Sequence, residues 1–285
     1  MLVLGLLVGS FLNVVIHRLP IMMEREWKAQ AEEILGANPY DPPRAEPVSN
    51  PPYNLVVPRS ACPKCGAMIT ALQNVPIVSY VFLRGACANC GAKISIRYPL
   101  IELFTGLLSA AVAWKFGVTW YCGAALLLTW ALVALSAIDF DHQLLPDQIT
   151  LPLLWLGLLL SLAPTLPTLG LPVDTSSSLI GAAAGYLALW SIYHLFKLLT
   201  GKEGMGYGDF KLLAALGAWM GWQSLLDIIL ASACVGSVVG IALMMRGRDK
   251  NIPIPFGPFL AAAGWIALMW GDRLPGRQML AGSFY

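Results

Sequence analysis

The sequence predicts an all-α, polytopic membrane protein with about eight transmembrane helices and one loop domain between the first and second. Of the 285 residues, 57% are hydrophobic and only 12% are charged, which is about half the charged fraction of a soluble domain. The apolar residues also form long runs, and a run of about 18 or more with few charges is typical of a membrane span. A mean hydropathy of +0.67 excludes an ordinary soluble core.

Eight apolar segments are the predicted spans: 1–16, 99–116, 118–138, 149–163, 178–199, 210–221, 223–245 and 255–271. The fourth and sixth are short for a hydrocarbon layer of about 30 Å. If the 210–245 stretch were one long tilted helix, the count would fall to seven and the C-terminus would change sides.

The distribution of basic residues predicts the orientation in the membrane. With eight spans, one side holds all of the 18 Lys and Arg residues except Lys115, Arg273 and Arg277. Cytoplasmic loops carry the excess of Lys and Arg, so that side is the cytoplasm. The basic residues His17 and Arg18 follow the first apolar run rather than precede it. This order favours a retained anchor over a cleaved signal peptide.

The spans divide the chain into three parts. Residues 1–16 form the first transmembrane helix, 17–98 a cytoplasmic domain, and 99–285 a helical membrane domain. Within the cytoplasmic part, the charged stretch 24–35 could form a short amphipathic helix. Its last part, 59–98, contains most of the cysteines and shows a rough internal duplication.

Two Cys-x-x-Cys pairs in this module predict a metal site. They are Cys62 with Cys65 and Cys87 with Cys90, each pair followed by Gly-Ala. Each pair presents two sulfurs to one point, and four thiolates close a tetrahedral zinc site completely, as in structural zinc modules. Two disulfides or a redox pair are the alternatives, and the reducing cytoplasm disfavours structural disulfides.

Two aspartates lie tight against apolar runs. Asp139 ends the third span and Asp209 opens the sixth, so two crossings return the chain to the same face. Ionisable residues at such positions are expensive and indicate a functional site. Two carboxyls within hydrogen-bonding range share a proton, which is the working state of an aspartyl protease. The helix dipole favours ionised Asp209, and Gly206 and Gly208 would admit an extended substrate backbone.

The spacing alone leaves other interpretations open. Asp209 could merely cap its helix, and Asp139 could form a structural ion pair with Lys211 or His142. The two aspartates could also relay protons in a transporter, although the membrane segments lack the duplication that transporters often show. A zinc-dependent assembly scaffold without catalysis is a third interpretation.

Five motifs, however, make the sequence resemble the type IV prepilin leader peptidases, a family of bifunctional peptidases and N-methyltransferases of bacterial inner membranes. The likeness covers nearly the whole chain. The motifs are the segments 9–20, 62–90, 97–102, 138–147 and 206–211, which include Ile138-Asp139-Phe-Asp and Gly206-Tyr-Gly-Asp209.

This resemblance implies a function and a site. It implies that Asp139 and Asp209 are catalytic and that the substrates are prepilins and type II secretion pseudopilins, cut on the cytoplasmic side after a Gly. It also implies methylation of the new N-terminus with S-adenosylmethionine, alongside the zinc module. The methyl-donor site and the oligomeric state are unknown, and no nucleic-acid partner is expected. Asn13, His17 and Glu102 could line the methyl-donor site or serve in helix capping or interhelical hydrogen bonds.

Overall fold

The computed structural model of the protein describes residues 1–36, 52–162, 173–202, 204–247 and 254–273. Within these ranges the chain is helical, and the only β-structure is two isolated bridges. The α-helices are α1 (Leu2–Gly36), α2 (Val78–Phe82), α3 (Arg97–Phe116), α4 (Trp120–His142), α5 (Asp147–Ser161), α6 (Thr175–Thr200), α7 (Tyr207–Met220), α8 (Leu225–Met245) and α9 (Gly257–Trp270).

These helices confirm the predicted fold class. Each of them except α2 overlaps one of the eight apolar segments. The exception, α2, lies inside the cysteine module. The helices α1, α3, α4, α6 and α8 belong to five segments that are long and apolar enough to cross a membrane, while α5 and α9 are shorter apolar helices. The protein is therefore a multi-pass membrane protein.

A break at Gly221 excludes one long helix over 210–245, the premise of the alternative with seven spans. Gly221 has a φ of +80°, in the left-handed region that glycine adopts readily. A 3-10 turn, Trp222–Ser224, follows before α8 begins. The 210–245 stretch is thus two helices.

The first helix differs from the prediction. Instead of a span at 1–16 and a separate helix at 24–35, the structure has one continuous helix, α1, with Pro20 inside it. Hydropathy marks where a membrane ends, whereas a helix ends where its backbone hydrogen bonds end, and these two limits need not coincide. The charged part is exposed, and Glu24 and Lys28 form a 2.7 Å ion pair one turn apart.

The chain divides into two compact units, Met1–Leu107 and Leu108–Tyr285. In the first unit, α1 crosses the start of α3 closely. A Cβ at Gly9 would stand 2.7 Å from Glu102 Cα, so this approach requires glycine. Small residues at helix contacts allow such backbone approaches in membranes.

The second unit is built around α7. Every residue of 209–220 is buried except Lys211, which is partly buried. A helix that is apolar on all sides is buried on all sides, and α5, α6 and α9 pack against it. The indole Nε1 of Trp219 donates to the Leu153 carbonyl of α5 at 2.8 Å. This packing fixes the first turn of α7, where Asp209 lies.

Glycines bring α6 and α7 together. Gly181 and Gly185 lie one turn apart on α6, in a Gly-x-x-x-Gly pattern. A Cβ at Gly185 would stand 2.7 Å from the Leu213 carbonyl oxygen, and Gly181 and Gly217 contact each other through their backbones. A side chain at these positions would force the two helices apart.

Candidate active site and metal centre

Asp139 is held at the end of α4 by two backbone contacts. The helix ends at His142, and Gln143 adopts a φ of +52° and donates its N–H to the Asp139 carbonyl at 2.9 Å. The carboxyl is buried, and its Oδ2 accepts the backbone N–H of Gly257 at 2.9 Å. A Cβ at Gly257 would stand 2.6 Å from this oxygen, so the contact requires glycine.

Asp209 lies in the first turn of α7, just after the N-cap residue Gly206. Its side chain is only 7% exposed. The atom Oδ1 is buried and has no hydrogen-bond partner among the described residues. A buried oxygen without a partner is costly, and such atoms in native structures call for an explanation such as a catalytic role.

Leu145 packs against both Gly208, which precedes Asp209, and Gly257, whose N–H binds Asp139. It is buried, and its side chain meets the positions where a Cβ of Gly208 or of Gly257 would stand, at 2.7 and 3.2 Å. The space beside Gly208 is therefore filled by Leu145 rather than left open to a substrate, contrary to expectation. The glycine serves close packing next to Asp209 instead.

The structure thus places both predicted aspartates in one buried region around Leu145. They come from different helices, and Oδ1 of Asp209 has no hydrogen-bond partner among the described residues. Two interacting carboxyls that cannot both ionise cheaply are able to hold one proton between them. Such a pair can activate a water and polarise a peptide carbonyl.

The ion pair considered for Asp139 forms elsewhere. The Lys211 amine contacts both carboxyl oxygens of Asp147 at 2.7 Å. Asp147 is the first residue of α5, whose N-cap is Pro146. The Asp147–Lys211 pair therefore connects α5 to α7 near the site. The Asp139 carboxyl instead accepts the Gly257 N–H.

The four predicted cysteines come together in two similar turns. In each turn the N–H of the glycine donates to the carbonyl of the first cysteine, Gly66 to Cys62 and Gly91 to Cys87, both at 2.9 Å. Both glycines have a φ near +70°, which relieves the turn. The four sulfurs lie within 4.8 Å of one another, and those of Cys62 and Cys90 are 3.8 Å apart.

This donor set fits a tetrahedral metal ion. Zinc–sulfur bonds of about 2.3 Å place sulfurs about 3.8 Å apart. The Ala67 N–H and then the Asn89 amide lower the pKa of Cys65 to about 6. The pKa of Cys90 is raised to about 11, because interactions with the other thiols outweigh the Ala92 N–H that lowers it. A divalent cation would displace the remaining protons, since thiolates are the metal ligands. The described cysteines are free thiols, so disulfides are not what holds the turns together.

Two of the three residues considered for the methyl donor form hydrogen bonds between segments, and the third is exposed. Asn13 donates its side-chain N–H to the Tyr98 carbonyl at 3.1 Å. Glu102 Oε2 accepts the Ile77 N–H at 2.8 Å. His17 is exposed. Asn13 and Glu102 thus serve in hydrogen bonds between segments, which was the other interpretation of these residues.

Sequence reasoning missed Gly257 and Leu145. Gly257 contributes only a backbone N–H, which no side-chain pattern reveals, although Pro255-Phe256-Gly257-Pro258 marks a helix start through its prolines. Leu145 lies in the loop between Asp141 and Asp147, where the sequence gives no sign that an apolar residue is buried. The sequence does contain one indication, since the next residue, Pro146, occupies the N-cap position of α5 and restricts the backbone of the loop.

Comparisons with known proteins find two family models and several relatives that match the chain. Residues 3–116 match the model of the bacterial peptidase A24 N-terminal domain, and residues 126–241 match that of the type IV leader peptidase family. A protein named prepilin leader peptidase/N-methyltransferase in Pseudomonas aeruginosa is 58% identical over 96% of this chain and 90% of its own length. A protein of the same name in Aeromonas hydrophila is 58% identical over 95% of this chain and 89% of its own length, and one in Xanthomonas campestris is 51% identical over 95% and 90%. No solved structure matches the chain.

Proposed function

Because the chain belongs to the type IV leader peptidase family, we propose that Asp139 and Asp209 form the catalytic pair with which it removes the leader peptides of type IV prepilins. Like its relatives, the protein is a prepilin leader peptidase and N-methyltransferase. Its substrates are prepilins, and we extend them to type II secretion pseudopilins. The cut follows a Gly, and S-adenosylmethionine supplies the methyl group for the new N-terminus.

The buried, unpaired Oδ1 of Asp209, in the same buried region around Leu145 as the Asp139 carboxyl, is the observation that carries the peptidase assignment. In the proposed reaction one ionised carboxyl takes a proton from water while the protonated carboxyl donates one to the scissile carbonyl. A transporter would need the aspartates along a path near the membrane midplane. Here they lie at the end of α4 and the start of α7.

The proposed orientation places this site at the cytoplasmic face. In the topology predicted from the sequence, the loops rich in Lys and Arg fall on the same side of the membrane as the ends of α4 and α7 that bear the aspartates. A prepilin has a short basic leader followed by an apolar helix, so its leader remains on the cytoplasmic side. The scissile bond precedes the apolar run. The apolar helix therefore need not unwind deep in lipid before the bond is cut.

We assign a structural zinc ion to Cys62, Cys65, Cys87 and Cys90. A zinc site made of four cysteine ligands has no open position for a substrate, so the metal would hold the two turns of the 59–98 module together. The cytoplasmic module accompanies the methyltransferase activity. The residues that bind S-adenosylmethionine are not assigned.

Incubating the purified protein with a prepilin tests the function directly. We expect a shortened product that begins after the leader Gly, and methylation of that product when S-adenosylmethionine is added. Mass spectrometry of the product measures both steps. An intact prepilin after prolonged incubation with folded protein would favour the transporter or scaffold interpretation.

A further inference from the structure

We infer that the backbone N–H of Gly257 positions Asp139 as the ionised, water-activating member of the pair and leaves Asp209 to carry the shared proton. This inference rests on the proposed function and assigns distinct roles within the same site. It makes Gly257, at the first position of α9, a positioning residue for the peptidase reaction.

The two carboxyls have different surroundings. Asp139 Oδ2 accepts a buried N–H bond of 2.9 Å from Gly257. Such a bond stabilises a carboxylate more than a neutral carboxyl, because hydrogen bonds to an ionised acceptor are about twice as strong. Asp209 likewise interacts with one backbone N–H, that of Gly206. Its Oδ1, however, is the one buried carboxyl oxygen of the pair that has no donor among the described residues, and a buried carboxylate oxygen without a donor is destabilised. A proton shared by the pair therefore resides on Asp209.

This assignment differs from the expectation that the dipole of α7 keeps Asp209 ionised. The dipole acts through the free N–H groups at the start of the helix, and of these only the Gly206 N–H interacts with the Asp209 carboxyl among the described residues. No described N–H reaches Oδ1. The N-terminus of α9, in contrast, points one N–H directly at Asp139. Among the described residues, α9 thus leaves no buried oxygen of Asp139 without a donor, whereas α7 leaves Oδ1 of Asp209 without one.

The roles give a balanced hydrolysis. Asp139 takes a proton from a water whose oxygen forms a bond to the scissile carbonyl carbon, and Asp209 donates its proton to the carbonyl oxygen. In the second step Asp139 returns its proton to the leaving amine nitrogen as the C–N bond breaks. One hydroxyl of the tetrahedral intermediate gives its proton to Asp209. The products are a carboxylic acid and an amine, and both aspartates recover their starting states.

The sharpest test removes the Gly257 N–H without adding an atom. Incorporation of glycolic acid at position 257 replaces the amide by an ester. We expect kcat for leader cleavage to fall roughly 10- to 100-fold, with KM within about twofold. The same ester at Gly264, in the middle of α9, removes an ordinary helix hydrogen bond and should leave kcat within about twofold.

The pH profile separates positioning from a structural defect. Losing the N–H makes Asp139 easier to protonate, so the acidic limb of the kcat profile should move to higher pH in the 257 ester and stay in place in the 264 ester. The titratable groups near Asp139 are Asp209 on α7 and Asp141 and His142 on α4, and α9 carries none. Lys211 contacts Asp147. These groups are the same in both variants.

Full kcat and an unchanged profile in the 257 ester would overturn the inference, whereas an active Asp139→Asn variant would overturn the proposed function itself. Thermal unfolding in detergent reveals a variant that does not fold. In that case Gly257→Ala, which keeps the N–H but pushes the Asp139 carboxyl away from it, is compared with Gly264→Ala. Each adds a Cβ 2.6 Å from a side-chain atom, Asp139 Oδ2 in one and Leu216 Cδ2 in the other. Equal losses of kcat in these two variants would also overturn the inference.

Discussion

Replacing Asp139 or Asp209 with Asn should lower leader cleavage by roughly 10⁴-fold or more, because either change removes one member of the proposed pair, which would act as a unit. Asn has nearly the shape of Asp, so both variants should insert into the membrane at normal abundance. The measurement is the single-turnover rate on a purified prepilin. Because the pair acts together, the double variant should be no slower than the slower single variant.

Two other aspartates provide matched controls. Asp141 is exposed, and Asp174 caps α6 by accepting the Ser177 N–H at 2.9 Å. Asn caps helices about as well as Asp, so Asp141→Asn and Asp174→Asn should keep most of the activity. Substantial cleavage by Asp139→Asn or by Asp209→Asn would exclude a mechanism with two aspartates.

Removing half of the cysteine ligands has the second largest expected effect. The purified protein should contain about one zinc ion per chain, and the Cys62→Ser, Cys65→Ser double variant should contain less than about a tenth of that. The metal supplies much of the folding free energy of small zinc modules. The 59–98 module should therefore unfold, and methylation should fall much further than leader cleavage. Metal analysis beside both activity assays measures these effects.

The matched control is Cys234→Ser, which changes an exposed cysteine outside the cluster. It should retain zinc and both activities. Full zinc occupancy in the Cys62→Ser, Cys65→Ser variant would contradict the assigned ligands. Equal losses of cleavage and methylation would contradict the separate role of the module.

The membrane helices could be predicted because hydropathy is the property that a bilayer selects. Boundaries were less predictable where a helix leaves the membrane and continues in water, as α1 does through Pro20 to Gly36. The break between α7 and α8 was predictable in kind, since Gly221 offers a backbone conformation that other residues rarely adopt.

The candidate site was predictable from its charged and sulfur-bearing side chains, because these groups are expensive in or near a membrane. Asp139 and Asp209 were found by depth and the cysteines by spacing. Gly257 was not found, because its contribution is a backbone N–H. The filled space beside Gly208 was not foreseen either, since it depends on Leu145 from another segment.

Cleavage by membrane vesicles of known orientation tests the central claim most directly. A water-soluble peptide containing a prepilin leader and the scissile bond is added outside the vesicles. Inside-out vesicles, whose cytoplasmic face is outward, should cut it, and right-side-out vesicles should cut it only after detergent opens them. Vesicles with Asp139→Asn should be inactive in both orientations. Equal cleavage by intact right-side-out vesicles, or cleavage that survives Asp139→Asn, would contradict an aspartyl site at the cytoplasmic face.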